Sequence, residues 1–168
     1  YDVTFNPGGG PVTWTNMSGG YGFFHNSGTD IFVSHFNAGA TALAGSTYVG
    51  GSGHDGLNNS NVLTHNYGDH FRGEIVLDAA GNCLVATTTR SLDMPTSAGA
   101  PQPASGGGQD AYLFRLNPGL TTLVWGTYYG GSGDENGLGV QLDGSGRIFI
   151  SGGTTSADLP MAGTPADN

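Results

Sequence analysis

A segment of this chain occurs twice, at 30–55 and again at 110–135, and that repeat constrains the fold more than any other feature. The two copies align at a constant offset without a gap, and their identities keep the same order. Both copies contain a Gly-Gly-Ser-Gly sequence near their ends, at 50–53 and 130–133. A fixed period of this kind indicates that one supersecondary unit is built more than once and packed against its copy. The identities outside glycine include Asp30 with Asp110, Asn37 with Asn117, Leu43 with Leu123, and Tyr48 with Tyr128.

A second pair of matching segments lies at a shorter offset. Residues 78–81 match 143–146, and Ser91-Leu-Asp-Met-Pro95 matches Ser156-Ala-Asp-Leu-Pro160. The difference between the two offsets indicates an insertion in the first unit. We place the insertion at Leu57–Phe71, where the composition is polar. We expect it to form a surface loop outside the sheet core and to be removable with little effect on folding.

Short apolar runs bounded by glycine, asparagine or aspartate predict β-strands joined by tight turns. No window of the sequence keeps a helical period, and glycine fills 32 of the 168 positions. We predict four strands at 74–78, 83–88, 111–116 and 123–129, a crossover at 91–109, and two strands of the next unit at 138–142 and 147–151. Four antiparallel strands in each repeat make the blade of a β-propeller. The predicted fold is therefore all-β, a partial propeller with one complete blade between two half-blades.

Four motifs of the repeat resemble a known family. Residues 47–55 and 127–135, with Thr-Tyr-Val-Gly-Gly-Ser-Gly-His-Asp and Thr-Tyr-Tyr-Gly-Gly-Ser-Gly-Asp-Glu, look like the signature of the SBBP-type bacterial β-propeller repeat. Asp143–Thr154 is similar to its hairpin, and 93–112 to its Pro/Gly-rich crossover. The resemblance covers roughly residues 30–164. It implies a secreted or surface-anchored bacterial protein, in some members exported by the type IX route.

The resemblance also divides the chain. Residues 1–29 match poorly, and we interpret them as a degenerate blade edge or a cap, whereas 30–168 are the propeller repeats. Closed propellers have about 4–8 blades, so we expect the remaining blades to come from more of the same polypeptide rather than from a neighbouring chain. The chain begins at Tyr1 without an initiator Met, which suggests a processed or partial sequence.

The charge balance limits the partners. The chain has no lysine, only four arginines and a net charge of −9, so it offers no basic cluster for a phosphate backbone or an anionic membrane. Its apolar runs are too short to span a bilayer. Cys83 is the only cysteine, so no intrachain disulfide can form, and we expect a small buried apolar residue there. The remaining partner classes are a protein or glycan ligand and further blades.

Two sets of side chains carry the ligand types that metals prefer. Asp134 and Glu135 follow a glycine-rich loop and could offer oxygens to Ca²⁺, but their counterparts are His54 and Asp55, which favours an ordinary turn between blades. The second set consists of His54, Asp55 and three residues of the insertion, His65, Asp69 and His70. These side chains suit a transition metal, although their spacing favours a solvated loop. We therefore predict no cofactor, with Ca²⁺ as the alternative that stays open.

Catalysis needs a nucleophile with a base or a pair of carboxylates around a substrate, and the sequence shows neither in a recognisable motif. The acids at 78 and 143, and those at 93 and 158, recur once in each unit. A residue required in every copy serves the fold, so we assign turn capping to the first pair and anchoring of the crossover to the second. We therefore expect no enzyme, no catalytic residue and no cofactor-binding residue.

The aromatic side chains have two interpretations. They can provide stacking surfaces for sugars, or they can pack between blades, which is the interpretation we favour; the residues are Trp14, Trp125, Tyr21, Tyr48, Tyr67, Tyr112, Tyr128 and Tyr129. The predicted function is an extracellular or cell-surface module for binding, adhesion or scaffolding. Two alternatives stay open: a structural component of a surface layer, sheath or filament, and a secreted enzyme acting on polysaccharide.

Overall fold

The computed structural model describes residues 28–162 and the short strand at 15–16. These residues contain nine strands and one 3-10 helix: β1 (Thr15–Asn16), β2 (Ile31–Phe36), β3 (Leu43–Val49), the 3-10 helix (Tyr67–Phe71), β4 (Glu74–Leu77), β5 (Cys83–Thr89), β6 (Asp110–Leu116), β7 (Leu123–Tyr129), β8 (Glu135–Leu142) and β9 (Ile148–Thr154). This part of the chain has no α-helix, which confirms the all-β prediction. Most of the segment 1–29, predicted as a blade edge or cap, lies outside the described residues.

The middle of the chain forms a four-stranded antiparallel sheet in the order β4-β5-β6-β7, which we call the central sheet. The register runs from Cys83 opposite Leu116 to Thr89 opposite Asp110 where β5 pairs with β6. The long segment from 90 to 109 connects these two strands, as the sequence predicted for the crossover. The predicted single sheet with sequential strand order is confirmed.

Two smaller sheets flank the central sheet along the chain. The first sheet has the order β1-β3-β2, in which β2 and β3 are antiparallel and β1 runs parallel to β3. The last sheet is the antiparallel hairpin β8–β9. By the repeat, β2–β3 correspond to β6–β7, and β8–β9 correspond to β4–β5. The central sheet therefore contains the whole repeat unit. The first sheet contains the second half of that unit, and the last sheet contains its first half.

The central sheet has a hydrophobic core on each face. Successive side chains of a strand point to opposite faces, so Val85 joins a core with Val33 of the first sheet, while Leu84 joins a core with Val140 of the last sheet. Every residue of β5 is buried as a result. Cys83 is among them, as the sequence predicted, and burial raises the pKa of its thiol to about 11.

The hairpin turns follow the predicted chemistry. The Asp78 carboxylate accepts hydrogen bonds from the backbone N–H groups of Ala80 and Asn82, both at 2.9 Å. Gly81 follows with φ of +80°, which a residue without Cβ adopts at little cost. Asp143 accepts two equivalent bonds at 2.9 Å in the β8–β9 turn. The predicted capping role of these two recurring acids is confirmed.

The insertion lies outside all three sheets, as predicted, and ends in the 3-10 helix. It is not solvated throughout, however. Asn58 is only 2% exposed, and its side-chain N–H groups donate to the carbonyls of Leu63 (3.0 Å) and Asp69 (3.2 Å). These bonds give the insertion a structure of its own, and Gln109 links it to the rest of the protein through Asn58 and Asn59; its removal with little effect on folding stays a prediction.

Candidate functional site

Acidic side chains from three positions of the repeat meet at each of the two junctions where one sheet passes to the next. At the first junction, Asp55 lies beneath the loop 50–53 and is 1% exposed. Its carboxylate accepts hydrogen bonds from the N–H of Gly51 (2.7 Å) and the hydroxyl of Ser91 (2.9 Å). The Thr89 hydroxyl donates to the other oxygen. One carboxylate thus joins the loop after β3 to the end of β5.

The second junction repeats this arrangement with a longer acid. Glu135 is 2% exposed and accepts from the N–H of Gly131 at 2.7 Å. Its other oxygen accepts from the hydroxyls of Thr154 (2.5 Å) and Ser156 (2.6 Å). Although aspartate is replaced by glutamate, each partner stands at the equivalent position of the repeat. The constraint is therefore on the hydrogen-bond pattern rather than on one residue type.

A second acid completes each junction, and it lies in the segment that follows β5 or β9. Asp93 accepts from the N–H (2.8 Å) and hydroxyl (3.1 Å) of Ser52. Asp158 accepts the same two bonds from Ser132, both at 2.9 Å, and these donors lower the pKa of Asp158. The predicted anchoring role of these two acids is confirmed, since each ties the crossover motif to a Gly-Gly-Ser-Gly loop.

A third acid faces each junction, and it lies at the start of β6 or just before β2. Asp110 lies so close to Gly130 that a Cβ at that position would overlap its carboxylate, and the Glu135 carboxylate lies against the same glycine. Burial raises the pKa of Asp110, and the negative charge of Glu135 raises it further. One Asp110 oxygen accepts from Ser105 and Gly106, while its Oδ1 has no hydrogen-bond partner. Two carboxyl groups therefore lie close together, beside the position that a Cβ of Gly130 would occupy.

The first junction contains the same carboxyl pair. A Cβ at Gly50 would overlap the Asp30 carboxylate and meet that of Asp55. Burial raises the pKa of Asp55, against the lowering effect of its donors, and Asp30 adds to the rise. Asp55 is a buried hydrogen-bond acceptor, whereas Asp30 is half-buried. Because Asp55 accepts hydrogen bonds from the loop after β3 and from the segment at the end of β5, it links the first sheet to the central sheet.

The predicted metal ligands at the junctions do not converge. His54 is exposed, and Asp134 has its Oδ1 3.9 Å from an Arg90 nitrogen. Their neighbours Asp55 and Glu135 point into separate junctions and are saturated by N–H and O–H donors. Within residues 28–162, no group of three or more His, Cys, Asp or Glu side chains is placed to hold a metal ion.

The predicted ligands of the insertion are engaged in its own structure. Asp69 accepts from the N–H groups of His65 (2.9 Å) and Asn66 (3.1 Å), and these donors lower its pKa. The Nδ1 of His70 is 3.1 Å from the carbonyl of Asn58. Asp69 thus caps the 3-10 helix through the reciprocal pair it forms with Asn66. The side chains of Asp69 and His70 and the backbone of His65 support the loop, and the structure does not bring the three residues to one point with His54 and Asp55.

One residue that sequence reasoning missed connects three regions. Gln109 is fully buried and donates to the side chain of Asn58 (2.9 Å) and the carbonyl of Glu135 (3.0 Å). The side-chain oxygen of Gln109 accepts from the N–H of Asn59 at 2.7 Å. The repeat held a signal for this role, because its counterpart Thr29 donates to the carbonyl of Asp55 at 2.9 Å. Gln109 keeps that bond and adds the insertion.

The aromatic residues divide between core and surface. Tyr112 and Tyr128 are buried, with ring centroids 5.7 Å apart, as the packing interpretation predicted. The Tyr128 hydroxyl donates to the carbonyl of Ser91 and accepts from the N–H of Met94, and burial raises its pKa to about 12. Tyr67, in the insertion, is exposed. Trp14 and Tyr21 lie outside the described residues, so their predicted role stays a prediction.

Comparison with known proteins adds no relative. No family model matches the chain, and no curated protein matches it. The resemblance to the SBBP-type repeat therefore remains a prediction based on its motifs. In the described part, no helix is long and apolar enough to cross a membrane.

Proposed function

We propose that this chain is a scaffolding module of an extracellular or cell-surface β-propeller, whose repeats hold their blades in a fixed arrangement for binding or adhesion. The observation that carries the proposal is the equivalence of the two junctions. The same set of backbone N–H groups, hydroxyls and carboxylates recurs at both, with Asp55 and Glu135 at the centres. A network required at every junction supports a structural role.

Burial of the acids supports scaffolding over catalysis. A glycosidase presents two carboxyl groups to a scissile bond in an open site, whereas Asp55, Asp110 and Glu135 are each 1–2% exposed. Their oxygens accept from the protein's own loops. We therefore propose no enzymatic activity for the junctions and no resident cofactor. Calcium has no proposed site, because the acids nominated for it are already bonded within the junctions.

The partner class follows from the charge. A net charge of −9 without lysine supports a protein or glycan ligand, or further blades, rather than nucleic acid. The surface location rests on the resemblance. Its test is to treat intact cells that naturally make the protein with a protease, and to follow the chain with an antibody. Loss of signal from intact cells supports the surface location, and protection until lysis contradicts it.

The scaffolding role is tested by replacing the central acid of each junction. Asp55→Ala leaves a buried N–H and two hydroxyls without their acceptor, and we expect the free energy of unfolding to fall by roughly 1–3 kcal/mol. Glu135→Ala should act in the same direction. The control is His54→Ala, which changes an exposed neighbour. Stabilisation by either acid replacement would contradict the proposal, because acids kept for chemistry are commonly held at a cost in stability.

A second candidate function is a structural component of a surface layer, sheath or filament. The observation that favours it is the apolar surface on strands that end their sheets among the described residues, where Phe32 of β2 and Phe149 of β9 are both exposed. Exposed strands of this kind pair with other chains unless something covers them.

A further inference from the structure

The second junction contains a buried carboxyl oxygen to which no N–H or O–H group of the described residues donates. Asp110, at the start of β6, is 1% exposed, and its Oδ1 has no hydrogen-bond partner. A buried polar atom without a partner destabilises the folded state. The arrangement of the atoms around Oδ1 indicates what its partner is.

Oδ1 of Asp110 lies beside a second buried carboxyl oxygen, Oε2 of Glu135. A Cβ at Gly130 would overlap both atoms, so the two oxygens converge on the space that a side chain at this position would fill. Burial raises the pKa of Asp110, and the negative charge of Glu135 adds to the rise. Two ionised carboxylates in this position would repel each other, whereas a single proton between them would form a hydrogen bond.

The hydrogen bonds assign the proton to one of the two acids. Oδ2 of Asp110 accepts from the hydroxyl of Ser105 (2.5 Å) and from the N–H of Gly106 (3.0 Å). Oε2 of Glu135 accepts from the N–H of Gly131, and its Oε1 accepts from two hydroxyls. Donors therefore face both oxygens of Glu135, as a carboxylate requires, but only one oxygen of Asp110. The oxygen that is left to carry a proton is Oδ1 of Asp110.

We propose that Asp110 keeps its proton at neutral pH and donates it from Oδ1 to Oε2 of Glu135, so that one proton links the two carboxyl groups of the second junction. The proton exchanges with water. As the pH rises through the folded pKa, the proton leaves, two buried like charges remain side by side, and the junction weakens. The inference rests on the proposed scaffolding role of the junctions and makes pH the regulator of one of them.

The charged groups around the pair favour the retained proton. Three further acids lie on the elements that pack around it: Asp55, Asp134 and Asp158. Like charges nearby disfavour ionisation of a carboxyl group. Arg90, which follows β5, lies 3.9 Å from Asp134 and is paired with that acid rather than with Asp110. Tyr128, in β7, is uncharged, because burial raises its pKa to about 12.

The first test follows the carboxyl carbon of Asp110 by NMR, in the full chain labelled with ¹³C-aspartate and titrated from acid to alkaline pH. The resonance is identified by its absence from the Asp110→Asn chain. We expect the upfield shift of a carboxylic acid at neutral pH and a change to the carboxylate shift only at alkaline pH. The control is Asp158, whose pKa is lowered, so its resonance should titrate below pH 3.8. A carboxylate shift for Asp110 at neutral pH would overturn the proposal.

The same spectra distinguish a proton from a metal ion between the two oxygens. They are recorded at neutral pH with EDTA and again with Ca²⁺ in excess. We expect the Asp110 resonance to be the same in both. A change to the carboxylate shift on addition of Ca²⁺ would mean that the pair binds a cation in place of the proton, which contradicts the proposal.

The second test asks whether Glu135 is the acceptor. Glu135→Gln removes the negative charge but keeps a side-chain oxygen, so the titration of Asp110 should move to lower pH. Asp134→Asn is the matched control, because it removes a neighbouring charge that is paired with Arg90, and it should move the titration less. Thermal melting checks that both variants fold. Equal shifts in the two variants would contradict a direct link between Asp110 and Glu135.

The third test replaces the proposed acid with its neutral mimic. Asp110→Asn keeps an oxygen for the donors Ser105 and Gly106 and places an N–H donor towards Glu135. We expect this variant to be more stable than the unmodified chain at alkaline pH, where the unmodified pair has lost its proton, and Asp110→Ala to be less stable than Asp110→Asn at every pH. Lower stability of Asp110→Asn than of the unmodified chain at alkaline pH would overturn the proposal. Asp55→Ala tests the scaffolding function separately, because it leaves this pair intact.

Discussion

The central sheet and the two sheets beside it are built from the same repeat, but they bury the same positions to different extents. Tyr112 in β6 packs between sheets, while its counterpart Phe32 in β2 faces solvent. The strand sequences are both apolar, so the difference comes from what covers the face of each strand, since Tyr112 packs against residues of the first sheet and of the crossover. In a repeat protein, each unit depends on its neighbours for burial, and a unit cut in half exposes what the complete unit hides.

The two junctions also differ in how deeply their side chains are buried. Ser91 of the first junction is buried beneath Tyr128, whose hydroxyl donates to its carbonyl. Ser156 of the second junction makes the same side-chain bonds but is half-buried, and Thr154 beside it is exposed. The hydrogen-bond pattern is thus encoded in the local sequence. Its shielding from water depends on a second pair of strands, which the central sheet has in β6 and β7 and the last sheet lacks among the described residues. Equal geometry should therefore give unequal stabilisation.

The largest expected effect compares equivalent aromatic positions. Tyr112→Ala removes a buried ring from the core and also the hydrogen bond from its hydroxyl to the Pro95 carbonyl. We expect it to lower the free energy of unfolding by about 3–5 kcal/mol. Phe32→Ala, measured by urea denaturation of the monomer, should change it by less than about 0.5 kcal/mol. Similar losses for the two variants would contradict the contrast between complete and half sheets.

The next effect compares the two junction serines. Ser91→Ala removes an acceptor for the N–H of Gly53 and a donor to Asp55, both in a buried site. We expect a loss of roughly 1–3 kcal/mol. Ser156→Ala removes the equivalent bonds where water can replace them, so its loss should be smaller. A greater loss from Ser156→Ala would show that solvent access does not set the strength of a junction.

The pH dependence of stability should separate buried from exposed acids. The folded pKa values of Asp55 and Asp110 are raised above 3.8, so their contribution is complete below that pH and is lost as the pH rises through the folded values. Asp143 and Asp158 have lowered pKa values, so their contribution is present above 3.8 and is lost as the pH falls through the folded values. Stability should therefore be greatest at mildly acidic pH rather than at neutrality.

Denaturant titrations at several pH values measure this dependence. Asp110→Asn replaces the buried carboxyl with a neutral amide, so it should flatten the decline in stability between pH 3.8 and neutrality. Asp158→Asn should leave that decline unchanged, because its pKa is lowered and it acts at lower pH. An unchanged decline in the Asp110→Asn chain would mean that this buried acid is already ionised at low pH.

Much of this structure was predictable because its determinants are local or repeated. The strand bounds of the central sheet, the Asp78 turn and the anchoring by Asp93 all follow from short-range patterns that occur twice. The repeat also predicted that acids present in every unit serve the fold. Chemistry-bearing residues that recur with the period are therefore better assigned to junctions than to ligands.

The parts that sequence reasoning missed depend on non-repeated contacts. Asn58 belongs to the insertion and bonds to Gln109, far away in the sequence, and no second copy of this contact exists to reveal a pattern. The metal hypothesis for His65, Asp69 and His70 considered composition within a loop but not backbone donors, which satisfy Asp69 locally. Exposure of Phe32 and Phe149 was also not predictable, because their sequences are those of buried strands.

The smallest expected effect concerns the turn after β2, where the repeat places a left-handed residue in each copy. Ala40 has φ of +50° and Leu120, its counterpart, +55°. Leu120 is 3% exposed, so core packing offsets the strain, whereas Ala40 is exposed and gains little. Ala40→Gly should raise the free energy of unfolding by about 0.5–1 kcal/mol. The control Ala38→Gly, at ordinary φ in the same turn, should lower it by up to about 1 kcal/mol. Thermal melting measures both, and a loss in both variants would mean that the Ala40 conformation carries no strain in the half sheet.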